Sequence, residues 1–184
     1  MRFSLLFIFF TLIYNSIFSP THAGEKIWVL INTSKLRLKV IQGNKILAVM
    51  DNIAIGQNGA GMKTHKGDDI TPLGTYTIGW VNNKSRFHKF YGFTYPSLQN
   101  AKTALLNGFL NNNEYNKILR AHRKKQVPPQ NTMLGGHIGI HGLGAADIKI
   151  HKLLNWTHGC IALTNRQIDQ LARWVGKGTM VTVE

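Results

Sequence analysis

The chain has 184 residues and a single cysteine, Cys160, so no disulfide can close within it. Acidic residues are scarce: 8 Asp plus Glu stand against 22 Lys plus Arg, giving a formal charge of +14. An imbalance of that size points to an anionic partner, or more blandly to a solvated basic surface. Internal repeats and low-complexity linkers are absent. Past the N-terminus there is no apolar run approaching the roughly 20 residues that a spanning helix needs.

The N-terminus itself is different. Arg2 precedes the apolar run Leu5 to Ile13, and Thr21-His22-Ala23 has the small-residue character of a cleavage site. The pattern predicts a signal peptide over 1–23 and one domain over 24–184. A retained anchor is the second reading, because a looser apolar stretch runs from Phe3 to Phe18. No cysteine follows the run, which argues against a lipid-modified N-terminus. Export also argues against nucleic acid as the anionic partner. A cell wall or an anionic membrane surface fits better.

Alternation sets the expected architecture. Ile27–Ile31 reads as a strand, Asn32-Thr33-Ser34 as a turn and Lys35–Ile41 as a second strand, with Leu36, Leu38 and Val40 on one face. Gly43-Asn44 predicts a hairpin into a third strand, Lys45 to Ile55. Gly56 to Asp69 reads as a loop, and Thr71–Gly74 as a turn into the strand Thr75–Trp80. Helical spacing then takes over: Ala101, Ala104, Leu105 and Phe109, followed by Tyr115, Ile118 and Leu119. Gly108 and Asn111–Asn113 divide this insertion, about 97–126, into two helices. Pro128-Pro129 marks a loop. His137–His141 and Cys160–Leu163 read as short strands. Asn165 is expected to cap a helix over Arg166–Val175, and Thr179–Val183 is the last strand. The fold class is α+β, with a β-rich mixed core and a helical insertion.

In an exported chain a lone cysteine either pairs with another molecule or stays free and reactive. Cys160 follows His158-Gly159, and a second His-Gly pair, His141-Gly142, lies upstream. A neighbouring histidine can generate the reactive thiolate. Two residues apart on an extended segment, the His158 and Cys160 tips do not meet readily. His141, carried by another strand, is therefore assigned as the base. The backbone amides of Gly159 and Cys160 are candidates for an oxyanion hole.

His141-Gly142 followed by Thr157-His158-Gly159-Cys160-Ile161 resembles the signature of the L,D-transpeptidase catalytic domain, the YkuD-type family. Asn32 to Gly43 is similar to the family's opening hairpin, and Thr71-Pro72-Leu73-Gly74-Thr75-Tyr76 to its Thr-Pro-Leu-Gly element. The likeness runs over nearly all of residues 24–184. It implies a Cys160 nucleophile acting on the L,D-peptide bond of cell-wall tetrapeptides, His141 as general base and acid, and the Gly142 carbonyl as its orienting group. It implies peptidoglycan stem peptides as partner, the periplasm or cell-wall space as location, and neither metal nor organic cofactor. Many members carry Arg two residues after the cysteine, where this chain has Ala162. That departure, with Asn83–His88, Tyr95-Pro96 and Gly135–Gly142, resembles a divergent branch that includes hydrolases releasing lipoprotein from peptidoglycan. Arg86 or His88 would then supply the missing charge. His158 and Thr157 join them as substrate-binding candidates.

Blander readings stand beside these. A lone Cys is most often a small buried hydrophobe. His137, His141, His158 and Cys160 suggest zinc, without a recognisable ligand spacing. Trp156 reads as core or pocket wall, and Asp147 as a turn residue. Three functions follow: a cysteine peptidoglycan enzyme (transpeptidase or hydrolase), a zinc wall peptidase, or a non-catalytic wall-binding module.

Overall fold

The computed structural model describes residues 25–184, and the expected signal segment 1–23 lies outside them. The opening alternation becomes a meander of β1 (Ile27–Asn32), β2 (Arg37–Gln42) and β3 (Lys45–Asp51). Gln42 pairs with Lys45 across the two-residue turn, where Gly43 takes φ +56°. Leu38 and Val40 are fully buried, as the period-two pattern requires. Leu36 is not part of the strand; it sits in the preceding turn at φ +44°. The third strand ends at Asp51, earlier than expected, because Asn52 turns at φ +56°.

The next segment holds two short strands, β4 (Ala60–Gly61) and β5 (Thr71–Pro72), paired in parallel. β6 (Gly74–Ser85) is twice the expected length, and β7 (His88–Phe93), absent from the sequence reading, returns beside it. Two helices follow, α1 (Leu98–Leu106) and α2 (Asn112–Arg123). Ser97 and Asn100 form a capping box at the first, and Asn111 caps the second. The Tyr76 hydroxyl donates to Asn100 Oδ1 at 2.9 Å and so ties α1 to β6.

β8 (Gly139–His141), α3 (Ile148–Leu153), β9 (Ile161–Ala162), α4 (Asn165–Leu171) and β10 (Met180–Val183) complete the chain. Asp147, read from sequence as a turn residue, caps α3. α4 is capped by Thr164 in a box with Gln167, one residue before the expected Asn165. Eight strands form one mixed sheet in the order β3-β2-β1-β10-β6-β7-β8-β9. Two neighbouring pairs are parallel, β1 with β10 and β8 with β9; the rest are antiparallel. The core runs from Val29, Ile31 and Val181 at one end to Ile140, Ile161, Leu163 and Ile168 at the other. β9 is an edge strand, yet its outer side is covered: Ala54 and Ala162 exchange backbone hydrogen bonds of 3.0 and 2.8 Å.

Candidate active site

The segments that carry the two His-Gly pairs are joined by the β8–β9 pairing. His141 ends β8 directly beside Ala162 of β9, and Cys160 immediately precedes β9. A parallel pair needs a long crossover. Here residues 142–160, with α3, supply it, and this is how two residues 19 positions apart in sequence come onto neighbouring strands, two register positions apart.

His141 is almost fully buried. Its ring stacks on Phe87 with centroids 4.3 Å apart, and Trp156 stands edge-on at 5.7 Å. Nδ1 lies 2.7 Å from the Gly142 carbonyl oxygen. A carbonyl only accepts, so the proton sits on Nδ1 and Nε2 carries the free lone pair. Burial pushes the imidazole down to about 4; the Gly142 carbonyl opposes this, while His151 and Arg86 add to it. Gly142 permits close packing here, since a Cβ would stand 2.6 Å from the Phe87 carbonyl oxygen.

The turn that carries Cys160 is held by Thr157. Its hydroxyl donates to the Cys160 carbonyl at 2.6 Å and accepts from the Gly159 amide at 3.2 Å. Gly159 adopts φ +115°, and a Cβ there would meet the Ile70 carbonyl oxygen at 2.6 Å. Two expectations change as a result. Thr157 is buried and committed inside the turn, so its hydroxyl shapes the turn and does not face a ligand. The Gly159 amide is already engaged, whereas the Cys160 amide has no hydrogen-bond partner among the described residues and is the free oxyanion candidate.

The thiol makes no hydrogen bond to His141. It donates to the His137 carbonyl oxygen at 3.3 Å. Cys160 keeps partial solvent exposure, but close packing around its sulfur pushes the thiol up to about 11, against the pull of the Gly139 amide and the Lys63 charge. Thiol and imidazole are thus both neutral in this state.

The remaining candidates divide. Arg86 lies over the Phe87 ring at 4.7 Å, and Phe87 in turn stacks on His141. His88 turns away to Asp169 of α4, 2.9 Å from its carboxylate, with Lys89 at 2.6 Å on the same oxygen. It is therefore not available as a substitute charge at the site. His158 is exposed and pairs with Asp69 at 2.8 Å. His137 does not share a strand face with His141: it precedes β8, at φ +56°, and offers its carbonyl to the thiol. Among the described residues, no three His, Cys, Asp or Glu side chains are gathered as a metal site would require.

Four residues near the site were not among the candidates of the sequence, Asn165 having been read only as a helix cap. Asn165 holds both the amide and the carbonyl of Gly144 at 2.9 Å and so fixes the loop after His141-Gly142. His151 is buried, and its Nδ1 accepts from the Trp156 indole at 3.3 Å. Lys63 and Asp68 form a buried ion pair. Burial would raise the Asp68 carboxyl, but hydrogen bonds from Lys63, Thr64 and Ile70 outweigh it and hold the group below its usual range. A cavity of ≈ 400 Å³ opens beside the Cys160 turn, lined in part by Lys63, Lys66, Asp69, Gln130, His137 and His158. The loop after α2, and neither helix of the insertion, forms its far wall.

The chain belongs to the L,D-transpeptidase catalytic domain (YkuD) family, whose model matches residues 26–183. Among solved structures it is similar to the helical cell shape determining protein Pgp2 from Campylobacter jejuni. The identity is 24% and the TM-score 0.61, over 88% of this chain and 48% of that one. Bdellovibrio bacteriovorus Bd1075 matches at 18% identity and TM-score 0.57, over 90% and 50%. An Enterococcus faecium L,D-transpeptidase C442S mutant matches at 13% and 0.51, over 87% and 50%. The chain thus spans about half the length of these structures, and they show its fold. A comparison with curated proteins finds no match.

Proposed function

We propose that this chain is an exported, cysteine-dependent enzyme acting on the L,D-peptide bonds of peptidoglycan stem peptides. The observation that carries the reading is the placement of His141 and Cys160 on neighbouring parallel strands, His141 level with Ala162 and Cys160 two residues before it, within a chain of this family. In the proposed reaction the thiol turns from the His137 carbonyl and gives its proton to Nε2 of His141. Sulfur bonds to the carbonyl carbon at the L-centre of residue three. The Cys160 amide donates to the resulting oxyanion. Collapse breaks the C–N bond, and the leaving D-alanine amine takes the proton from His141. The thioester then passes to an amine, forming a cross-link, or to water. A role in cell shape, as the name of the Campylobacter protein states for that protein, fits such wall remodelling.

A second reading, hydrolysis, draws on residue 162. Ala162 is fully buried in the sheet and paired to Ala54, so this position presents no cation to substrate. The exposed guanidinium of Arg86, on the Phe87–His141 stack, takes its place. The same site would then trim stems or release attached lipoprotein. A non-catalytic wall-binding module is the lesser alternative.

Product mass spectrometry tests all three. The protein and a Cys160→Ala control are incubated with sacculi carrying tetrapeptides and attached lipoprotein. Cross-links between position-three residues support the transpeptidase, and trimmed stems or freed lipoprotein without cross-links support the hydrolase. A product that persists in the Cys160→Ala control refutes the thiol mechanism. Binding without product leaves the module.

A further inference from the structure

Lys63 is 5% exposed, and its ammonium is paired with Asp68. An ammonium has three N–H donors. One is used on Asp68 Oδ1, and no second acceptor is found for Lys63 among the described residues. The Asp68 carboxylate is by contrast saturated: besides Lys63, it accepts from the amides of Thr64 at 2.8 Å, Ile70 at 3.2 Å and His65 at 3.3 Å. Asp68 therefore holds the lysine in place and has little capacity left for anything else. A buried cation with spare donors on the wall of a cavity is an anion site awaiting its partner.

The surrounding charges agree. Lys66 lines the same cavity, and Asp69, the acidic group on its wall, is occupied by His158. His137 connects the cavity to the nucleophile, because its carbonyl holds the thiol.

We propose that this cavity is the subsite for a carboxylate of the stem peptide, with the Lys63 ammonium as its principal donor and Lys66 assisting. The proposal rests on the activity proposed above for the identity of the ligand. Two carboxylates of a tetrapeptide share the chemistry: the terminal one on the leaving D-alanine, and the one on the D-centre of the diamino acid at position three. An ion pair at the first would set the requirement for a free C-terminus. At the second it would select the diamino acid.

The test uses Cys160→Ala protein, so that binding is read without turnover. Disaccharide tetrapeptide is titrated calorimetrically in three forms: unmodified, amidated at the terminal carboxylate, and amidated at the D-centre carboxylate. The expected result is a loss of affinity of about tenfold or more with one amidated form, which also identifies the bound group. The paired change Lys63→Met/Asp68→Asn removes both buried charges and should erase that difference. Lys63→Met alone would strand Asp68, so it is not the deciding variant. If the paired variant does not fold, the three ligands on otherwise unchanged protein still decide. Equal affinity for all three forms overturns the proposal, as does a folded paired variant that keeps the difference. A discriminating Cys160→Ala protein whose Cys160 parent yields no product overturns the enzymatic reading alone.

Discussion

The Cys160 thiol is hydrogen-bonded to the backbone carbonyl of His137, 3.3 Å away, and not to the imidazole of His141. A carbonyl cannot take a proton, so the resting site holds an uncharged thiol. In the reaction proposed above, the thiol has to leave this carbonyl before His141 can take its proton.

Alkylation of the free protein tests this. With the thiol pushed up to about 11, the iodoacetamide rate should rise about tenfold per pH unit from 7 to 10 without a plateau. A plateau below pH 7 would show a preformed thiolate–imidazolium pair.

His141 makes a second prediction. Its imidazole titrates near 6.5 when unfolded and near 4 when folded. Between those values the unfolded chain binds the extra proton. The stability it contributes is present above pH 6.5 and lost as pH falls through 4, to the extent of about 3 kcal/mol at most. Urea unfolding of the protein and of His141→Gln should therefore diverge in slope across that window. Parallel curves would mean that the ring is not buried in neutral form. The same variant should lower turnover by about 100-fold or more.

Gly159→Ala combines a left-handed backbone with a Cβ 2.6 Å from the Ile70 carbonyl oxygen. It should cost about 2–4 kcal/mol, read as a fall in the urea midpoint, and reduce turnover as the Cys160 turn shifts. An unchanged midpoint would show that the turn relaxes freely.

Arg86 and His88 should separate. Arg86→Ala removes a charge that depresses His141, so the His141 resonance should titrate at higher pH in NMR, and substrate affinity should fall. His88→Ala breaks only an exposed pair with Asp169 and should leave both unchanged. Unaltered affinity in Arg86→Ala would remove it from the substrate site.

The sequence was legible where one local signal dominated. Alternation located β1 and β2, the break at Gly108 and Asn111 separated α1 from α2, and the His-Gly pairs drew attention to the segments of β8 and β9. β7 escaped because His88–Phe93 lacks clean alternation: Tyr91, Gly92 and Phe93 are buried in succession. α3 escaped because its exposed face carries Ile148 and Ile150, which erases amphipathic contrast. Lys63 and Asp68 were unreadable because burial of a charge depends on how loops pack, and their segment resembles any Gly-rich loop. The turn bonds of Thr157 were unreadable because a hydroxyl beside Cys160 looks the same in sequence whether it faces outward or its own turn.

The Ala54–Ala162 bridge closes the outer edge of β9. An open edge beside a nucleophile would invite any extended chain to dock as an extra strand, reading backbone with little regard to side chains or termini. Here that berth is taken by the protein's own Ile53–Ile55 segment, so ladder pairing along β9 is closed to visitors. Under the proposed function, a stem peptide would come in from the strand ends and be recognised by its charged groups. Ordinary extended polypeptides, which need an edge to grip, gain no such foothold. An enzyme working among exported proteins would in this way leave them uncut.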